Sequence, residues 1–195
     1  MISKKIVDFE LLSDNEVLEF AIQGDLDAFS VLYQRNISRI YTYIFYRTGN
    51  VHDAEDLTAR VFHRAMGHIR NYRNTGVPFS AWLYRIAHNL VANWHRDNKR
   101  KQEVPLEDHE LFIVHGDMPE TQIITSQDSD QLLNGIRKLT DERQQLIILK
   151  FVEKLSNAEV AMIMGRSEGA IKSLYHRTLV SLRQELTNLS ENDLD

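Results

Sequence analysis

The sequence predicts an all-α protein made of two small helical domains joined by an acidic linker. Apolar residues recur at spacings of three and four, as they do on one face of a helix. Only 8 Gly and 3 Pro interrupt the 195 residues, and no stretch keeps the period-two alternation of a strand. The predicted divisions are an N-terminal tail, a first domain, a linker, a second domain and a C-terminal tail: 1–13, 14–101, 102–127, 128–186 and 187–195.

Four helices are predicted in the first domain. The first begins after Ser13, because Glu16 three residues later completes a capping-box pattern, and it ends at Gly24. Asp25 is predicted to cap the second helix, which the Gly-Asn pair at 49–50 terminates. Its apolar positions are Phe29, Leu32, Tyr33, Ile37, Ile40, Tyr41, Ile44 and Phe45.

The third helix is predicted to start with Asp53 as its cap. Its buried stripe comprises Ala54, Leu57, Val61, Phe62, Ala65, Met66 and Ile69. A polar turn at 71–76 follows, and Pro78 is expected in the first turn of the fourth helix, where proline is well tolerated. The fourth helix then continues through Trp82, Leu83, Ile86, Leu90 and Trp94 to a basic end at Lys101.

The second domain is also predicted to hold four helices, at 127–138, 141–152, 156–164 and 168–186. The chain after Thr187 is acidic and is expected to fray. The linker contains Pro105, Gly116 and Pro119 and has weak periodicity. Its short apolar patch at 111–114 is either an anchor for a partner or a segment folded back onto a domain.

Charge is distributed unevenly along the chain, although the net value is −5. Residues 82–101 carry five cations against one acid, and residues 165–183 carry four against one. Residues 102–131 carry eight acids and no Lys or Arg. Two basic segments with an acidic connector indicate nucleic-acid binding. Solvated helix faces with a disordered linker explain the same charges, so charge alone leaves both interpretations open.

Several classes of protein are disfavoured by composition. The absence of cysteine excludes disulfides and thiolate catalysis. No run of about 18 apolar residues predicts membrane insertion, and the N-terminus lacks the apolar core of a signal peptide. A cytoplasmic protein without a cofactor is therefore expected. His52, Asp53, Glu55, Asp56 and His63 can be imagined as a metal site, but caps and partner-facing acids explain them more simply, so no metal is predicted.

Residues 156–176, SNAEVAMIMGRSEGAIKSLYH, have the spacing of a helix-turn-helix. Small Ala161 allows close approach of the second helix, Gly165 supplies a left-handed turn, and Ser167 is placed to cap that helix. Core positions are assigned to Val160, Met164, Ile171, Leu174 or Tyr175, and Leu179. An ordinary helical hairpin is the alternative. The residues predicted to face the DNA are Arg166, Ser167, Glu168, Lys172, Ser173, His176 and Arg177.

Three segments together resemble the bacterial RNA polymerase sigma factors of the sigma-70 family, of the compact extracytoplasmic-function (ECF) type. Residues 53–66 (DAEDLTARVFHRAM) resemble the helix that holds the polymerase clamp, and residues 79–90 (FSAWLYRIAHNL) resemble the segment that opens the minus-ten element. The region from Leu139 to Arg183 resembles the domain that reads the minus-thirty-five element. The resemblance implies contact with the polymerase clamp and flap, promoter DNA and an inhibitory anti-sigma factor.

On the third helix, the resemblance implies that Asp53, Glu55, Asp56 and Leu57 contact the polymerase. Exposed acids beside an apolar residue suit docking onto a basic coiled coil, where charge provides steering and register. The same acids favour a helix N-terminus through its dipole. We expect both effects.

For the minus-ten element, the resemblance implies a pocket for a base flipped out of the non-template strand. Aromatic rings, amides and cations suit the binding of single-stranded DNA. Trp82 and Ile86 are assigned to the core rather than to base stacking, and Trp94 is left open between these two roles. The residues predicted to contact this element are Asn71, Tyr72, Asn74, His88, Asn89, Asn93, Arg96, Lys99 and Arg100.

The recognition helix departs from the family at one place, because Leu174 and Tyr175 stand where the family often shows Arg-Leu. A cation is missing there, and an apolar contact with a thymine methyl group is the expected replacement. A two-component or quorum-type regulator is a rival, since residues 155–161 would fit its DNA-binding domain equally well. Such a regulator would require a receiver of alternating strands and helices, which the first hundred residues do not show.

Overall fold

The computed structural model describes residues 8–73, 76–101 and 126–192. Every regular element in these ranges is helical, so the predicted all-α class is confirmed. Three-residue 3₁₀ turns lie at Phe9–Leu11 and Ile69–Asn71, and a π-helical turn at Ile148–Val152 continues the sixth helix. The α-helices are α1 (Asp14–Ile22), α2 (Leu26–Thr48), α3 (Val51–His68), α4 (Phe79–Lys101), α5 (Ser126–Lys138), α6 (Asp141–Ile147), α7 (Asn157–Met164) and α8 (Glu168–Asn192).

The helix caps at the start of the first domain follow the sequence pattern. The Glu16 carboxylate accepts a hydrogen bond from the Ser13 backbone at 2.8 Å, while Ser13 Oγ accepts one from the Glu16 backbone at 3.4 Å. Asp25 Oδ1 accepts from two backbone N–H groups at the start of α2. Gly49, with φ +69°, ends α2 in the left-handed conformation. These predictions are confirmed.

The predicted cap of α3 is wrong. Asn50 is the cap, and its Oδ1 accepts from the Asp53 backbone at 3.1 Å, which places Asp53 inside the first turn. The reason is the sharp reversal at Gly49, which lets α3 begin at Val51. Helix α4 begins at Phe79, so Pro78 directly precedes this helix.

Regular structure extends into both segments predicted as tails. The Arg35 guanidinium donates to the carbonyl oxygens of Phe9 and Leu12 and to the Asp14 carboxylate. The Phe9 ring packs edge-on against Phe20, with ring centres 5.3 Å apart. At the other end, α8 continues to Asn192, because no Gly or Pro interrupts it after the predicted end at residue 186.

Helices α1 to α4 form the first domain around a shared apolar core. Met66 was predicted in this core but is 46% exposed. The buried line on α3 runs through Phe62, Ala65 and Ile69, and each residue advances about 100° around a helix, so Met66 turns outward. Core residues of this domain include Val17, Leu18, Leu32, Ile40, Ile44, Val61, Leu83 and Leu90.

The second domain has a divided core. Ile136, Leu139, Ile147 and Leu182 form one small cluster between α5, α6 and α8. Leu146, Leu149, Val160, Ile163 and Ile171 belong instead to the cluster that includes the core of the first domain. Accordingly α4 packs against α7, and α2 packs against the π-helical turn. This contact between domains was not predicted from the sequence.

Candidate nucleic-acid interface

The helix-turn-helix is built as the sequence predicts. Ser156 and Glu159 form a reciprocal capping box at 2.8 and 3.2 Å. Gly165 has φ +65°, and Ser167 Oγ accepts from the Ala170 backbone at 3.2 Å. The short helix α7 and the longer α8 are thereby held at a fixed turn, with the start of α8 open to solvent.

The residues predicted to face duplex DNA are all exposed on or beside α8. Lys172 is 64% exposed and pairs with Glu168 at 3.3 Å, while Arg166 pairs with Glu142. Such exposed pairs are weak and exchange readily for phosphate contacts. The remaining members of this face are Ser167, Ser173, His176 and Arg177.

The apolar substitution in the recognition helix has a structural role. Leu174 is buried in the core, so the thymine contact expected of it is not available in this structure. Tyr175 is half-buried, with its ring 6.0 Å from that of Phe151 and with Lys150 Nζ 5.9 Å from the ring centre. Packing within the second domain therefore explains why Leu174 and Tyr175 stand at these two positions of the recognition helix.

A cavity of about 390 Å³ lies between the turn after α3 and the first half of α4. Tyr72 shapes it: its hydroxyl donates to the Val77 carbonyl at 3.1 Å, and its ring meets Trp82 edge-on at 5.0 Å. Asn71 and Tyr72 are thus brought together as predicted, whereas Asn74 lies outside the described residues. The lining comprises His68, Asn71, Tyr72, Arg73, Val77, Trp82 and Arg85.

Amides and a cation extend from this cavity along α4. Asn89 and Arg96 are exposed and Asn93 is half-buried, with Arg96 Nη2 donating to Asn93 Oδ1 at 3.0 Å. Spacings of four and three place these residues on one helix face. The side chains of Lys99 and Arg100, also predicted for this site, lie outside the part that the structure describes.

His88 does not join this face. It is half-buried against the second domain, with Nε2 at 3.7 Å from Asp141 Oδ2. Burial, together with the nearby Arg47 charge, lowers the pKa of His88 below its ordinary value. Helical periodicity explains the separation, since Asn89 is turned by about 100° from His88.

Trp82 and Arg85 line the cavity, although neither was assigned to the DNA-binding site from the sequence. Trp82 packs against the core, as predicted, and also lines the cavity. Arg85 lines the cavity and donates to the backbone carbonyls of Met162 and Ile163 at the end of α7. The sequence did indicate that these two residues share a face with the predicted site, because positions 82, 85, 89, 93 and 96 keep the three-and-four spacing of one helix face. Ile86 and Trp94 are half-buried and pack against the core.

The acidic face of α3 is only partly as predicted. Glu55 and Asp56 are exposed, with Asp56 3.5 Å from Arg60, and Asp53 is half-exposed. Leu57 is 1% exposed and belongs to the core, so it does not form part of this surface. Glu55 lies 3.9 Å from His52. Within the described ranges, no three His, Cys, Asp or Glu side chains are grouped to share a metal ion.

The family model of Sigma-70 region 2 matches residues 32–101, and that of Sigma-70 region 4 matches residues 129–182. The ECF RNA polymerase sigma factor SigW of Bacillus subtilis is 31% identical over 177 residues, covering 86% of this chain and 93% of SigW. The chain belongs to the ECF RNA polymerase sigma factors.

A second ECF sigma factor agrees with this assignment, and two solved structures show the same fold. BldN of Streptomyces coelicolor is 37% identical over 171 residues, which cover 88% of this chain and 65% of BldN. The solved structure of CnrH with the cytosolic domain of CnrY has a TM-score of 0.66 at 20% identity, covering 92% of this chain and 98% of that chain. RpoE of Bartonella quintana with the anti-sigma factor NepR gives 0.63 at 20% identity, covering 82% and 96%. Both share the fold.

The predicted resemblance to ECF sigma factors is therefore confirmed. The order of the two matched regions is that of the cavity domain followed by the helix-turn-helix domain. A receiver-type regulator is excluded, because the described part of the first hundred residues contains no strand. None of the helices that the structure describes is long and apolar enough to cross a membrane.

Proposed function

We propose that this sigma factor directs core RNA polymerase to promoters and starts DNA opening there, without catalytic chemistry of its own. One observation carries the proposal: the cavity between the turn and α4 continues directly into a face of amides and a cation. Single-stranded DNA requires such a combination of aromatic surface, hydrogen-bonding groups and positive charge.

The exposed acids of α3 are proposed to bind the polymerase clamp. Glu55 and Asp56 project from the helix into solvent, where they can steer and orient a basic partner. Asp53, half-exposed in the first turn, adds to the same negative surface. Leu57 contributes by fixing the helix in the core.

The cavity is proposed to hold one unstacked base of the minus-ten element. Binding a flipped base offsets the cost of unpairing, which is a few kcal/mol, and so couples sequence reading to opening. Asn89, Asn93 and Arg96 would follow the strand that leads from this base, with Lys99 and Arg100 on the phosphates. Asn74, predicted from the sequence for the same element, is included in the proposal.

The second domain is proposed to read duplex minus-thirty-five DNA and to contact the polymerase flap. Lys172, Ser173, His176 and Arg177 lie on the solvent side of α8, where a recognition helix meets base edges in the major groove. The N–H groups at the start of α8, beside Arg166 and Ser167, suit a phosphate. We further propose that an inhibitory anti-sigma factor binds this protein and that the protein acts in the cytoplasm.

Run-off transcription with core polymerase tests the polymerase surface. Asp56→Arg reverses a charge beside Arg60 and is expected to reduce assembly with core at least about tenfold, or 1.4 kcal/mol. Glu19→Arg, an equal charge reversal at an exposed position of α1, is the control. Normal assembly of Asp56→Arg with core would refute the clamp contact.

Duplex binding at a fixed moderate salt concentration, followed by a salt titration, tests the recognition helix. Lys172→Ala is expected to weaken minus-thirty-five binding and to reduce the salt dependence by about one counterion. Arg183→Ala, an exposed cation farther along α8, serves as the control. Equal affinities for wild type and Lys172→Ala would show that the proposed face is wrong.

A further inference from the structure

Lys154 lies between the π-helical turn and α7, and its backbone is left-handed. Its φ is +54°, and in the part of the chain that the structure describes it is the one residue other than glycine with a positive φ. The other positions of this kind are Gly24, Gly49, Gly76 and Gly165. A residue with a Cβ is strained in this conformation, so lysine at position 154 lowers stability relative to glycine.

The contacts around Lys154 fix this conformation. Lys154 follows Glu153, the cap of the π-helical turn, and so takes the position where helices commonly end on a left-handed glycine. The Leu155 backbone N–H donates to the Leu149 carbonyl at 3.0 Å, and Lys150 Nζ donates to the Leu155 carbonyl at 2.7 Å. The Glu153 side chain and Leu155 are both buried, so the turn cannot relax by shifting the chain by one residue.

The Lys154 side chain is exposed to solvent. The neighbouring Glu153 carboxylate is directed into its contact with the first domain instead of towards this lysine. Lys172 on α8, by contrast, pairs with Glu168 at 3.3 Å. The turn therefore presents a positive charge that no carboxylate of the described residues pairs with.

This turn lies beside the proposed recognition helix. The Phe151 ring is 6.0 Å from the Tyr175 ring, and Lys150 Nζ is 5.9 Å from the centre of the same ring. Tyr175 follows Lys172 of the proposed recognition face by three residues, or about one helical turn. The segment that carries Lys154 is thereby held against the side of α8, next to that face.

A helix in the major groove has a sugar–phosphate backbone along each side. The groove is about 12 Å wide and a helix with its side chains is about 10–12 Å across, so a segment beside the helix meets phosphates rather than base edges. The first helix of a helix-turn-helix crosses this backbone. Lys154 stands two residues before Ser156, the cap of that first helix, α7. Its ammonium group suits a phosphate, which carries no sequence information.

We propose that Lys154 binds a backbone phosphate of the minus-thirty-five duplex, and that the strained turn persists because a lysine there strengthens DNA binding. This proposal rests on the duplex-reading function proposed above. It adds a residue outside the recognition helix to the DNA-binding surface. Position 154 thus separates two properties, because glycine favours the fold whereas lysine favours binding.

Three substitutions in the full chain distinguish the charge from the backbone. Lys154→Gly removes both the charge and the strain, Lys154→Ala removes the charge and keeps the strain, and Lys154→Arg keeps both. Thermal unfolding is expected to give Lys154→Gly a Tm about 2–4 °C above those of wild type and the other two variants. Stability is therefore expected to follow the backbone conformation.

Affinity for a minus-thirty-five duplex is expected to follow the charge instead. Each phosphate contact releases about 0.9 counterion, so one contact contributes roughly eightfold at about 0.1 M salt. Lys154→Gly and Lys154→Ala should both bind about fivefold to tenfold more weakly, with a salt dependence lower by about one counterion. Lys154→Arg should bind as wild type does. A duplex of scrambled sequence should lose affinity by the same factor, because the contact is to the backbone.

Two further variants calibrate the binding assay. Lys138→Ala removes an exposed lysine at the end of α5 and is the matched control, which should change neither affinity nor salt dependence. Lys172→Ala reports on the proposed recognition face itself. Assembly with core polymerase is measured for every variant and is expected to be unchanged at position 154.

The outcomes separate this proposal from the function on which it rests. Wild-type affinity in Lys154→Gly and Lys154→Ala, with Lys172→Ala weakened, overturns the phosphate contact alone. Wild-type affinity in all three overturns the recognition face as well. A loss confined to Lys154→Gly would mean that backbone conformation governs binding, and equal Tm values for Lys154→Gly and Lys154→Ala would refute the strain. Reduced assembly with core at unchanged duplex affinity would assign Lys154 to the polymerase instead of DNA.

Discussion

The phenolic oxygen of Tyr84 lies 2.6 Å from a carboxylate oxygen of Glu153, although the two residues are 69 positions apart. Burial and the adjacent carboxylate raise the pKa of Tyr84 far above its ordinary value. The hydroxyl therefore stays protonated and donates at any physiological pH. This bond connects the helix of the cavity to the domain of the helix-turn-helix.

Tyr84→Phe is expected to lower the free energy of unfolding by about 1–3 kcal/mol, because a buried carboxylate loses one of its donors. The ring is kept, so its edge-on contact with Tyr43 is preserved. Urea denaturation of the full chain measures the change. Tyr46→Phe, on α2 and away from this contact, is the control and should leave stability within about 0.5 kcal/mol. Equal losses in both variants would show that the Glu153 bond has no special role.

Acidification is expected to lower the free energy of unfolding through His88. Its pKa is lowered in the folded chain, chiefly by burial and then by Arg47, so the unfolded chain binds the proton more readily below the ordinary value of 6.5. Stability contributed by neutral His88 is complete above that value and is lost as the pH falls. The Asp141 carboxylate opposes this effect, but it is already paired with Arg47.

Urea denaturation at about pH 7.5 and about pH 5.5, a range above the ordinary pKa of carboxyl groups, measures this dependence. His88→Gln should flatten it, while His176→Gln, on the exposed face of α8, should not. A rise in stability on acidification that His88→Gln removes would mean that pairing of charged His88 with Asp141 dominates.

Gly165→Ala is expected to destabilise the helix-turn-helix and to weaken duplex DNA binding. The added Cβ meets no atom within 4 Å, but φ is +65°, where a side chain costs about 1 kcal/mol. Gly169→Ala is the matched control, because it lies in α8 with equal open space and without a positive φ. It should stabilise the helix by about 0.5–1 kcal/mol. Thermal unfolding and minus-thirty-five binding measure both variants, and similar behaviour of the two would contradict this account.

Local features of the fold were predictable from the sequence because neighbouring residues determine them. Ser13 with Glu16, Ser156 with Glu159, and the turn at Gly165 each depend on atoms within a few positions. The cap of α3 was misassigned between Asn50 and Asp53 because both residue types cap well. The choice depended on how sharply α2 ends at Gly49.

The site was less predictable where it depends on distant residues. Tyr72, Asn89 and Arg96, which the family resemblance implied, lie at the cavity or on the helix face that leads from it, whereas His88 lies against the second domain. Arg85 was missed for the same reason, since its partners are carbonyl groups 77 and 78 positions away. Helical periodicity indicates which residues share a face, but it does not indicate what covers that face.

Tyr72 provides the most direct test of the cavity. Its hydroxyl closes the turn by donating to Val77, and its ring supports Trp82. Tyr72→Phe should loosen the rim by one hydrogen bond, about 1 kcal/mol or a fivefold loss of affinity for the single-stranded minus-ten oligonucleotide. Tyr72→Ala also removes an aromatic surface and should lose about 1–3 kcal/mol.

Duplex minus-thirty-five binding separates this effect from general unfolding, because the helix-turn-helix does not include Tyr72 and should bind unchanged. Tyr33→Phe, whose ring packs edge-on against Phe62 away from the cavity, is the matched control. If both Tyr72 variants fold normally and bind the single strand as wild type does, the cavity does not receive a base. The amides and the cation of α4 would then bind the strand without reading an unstacked base.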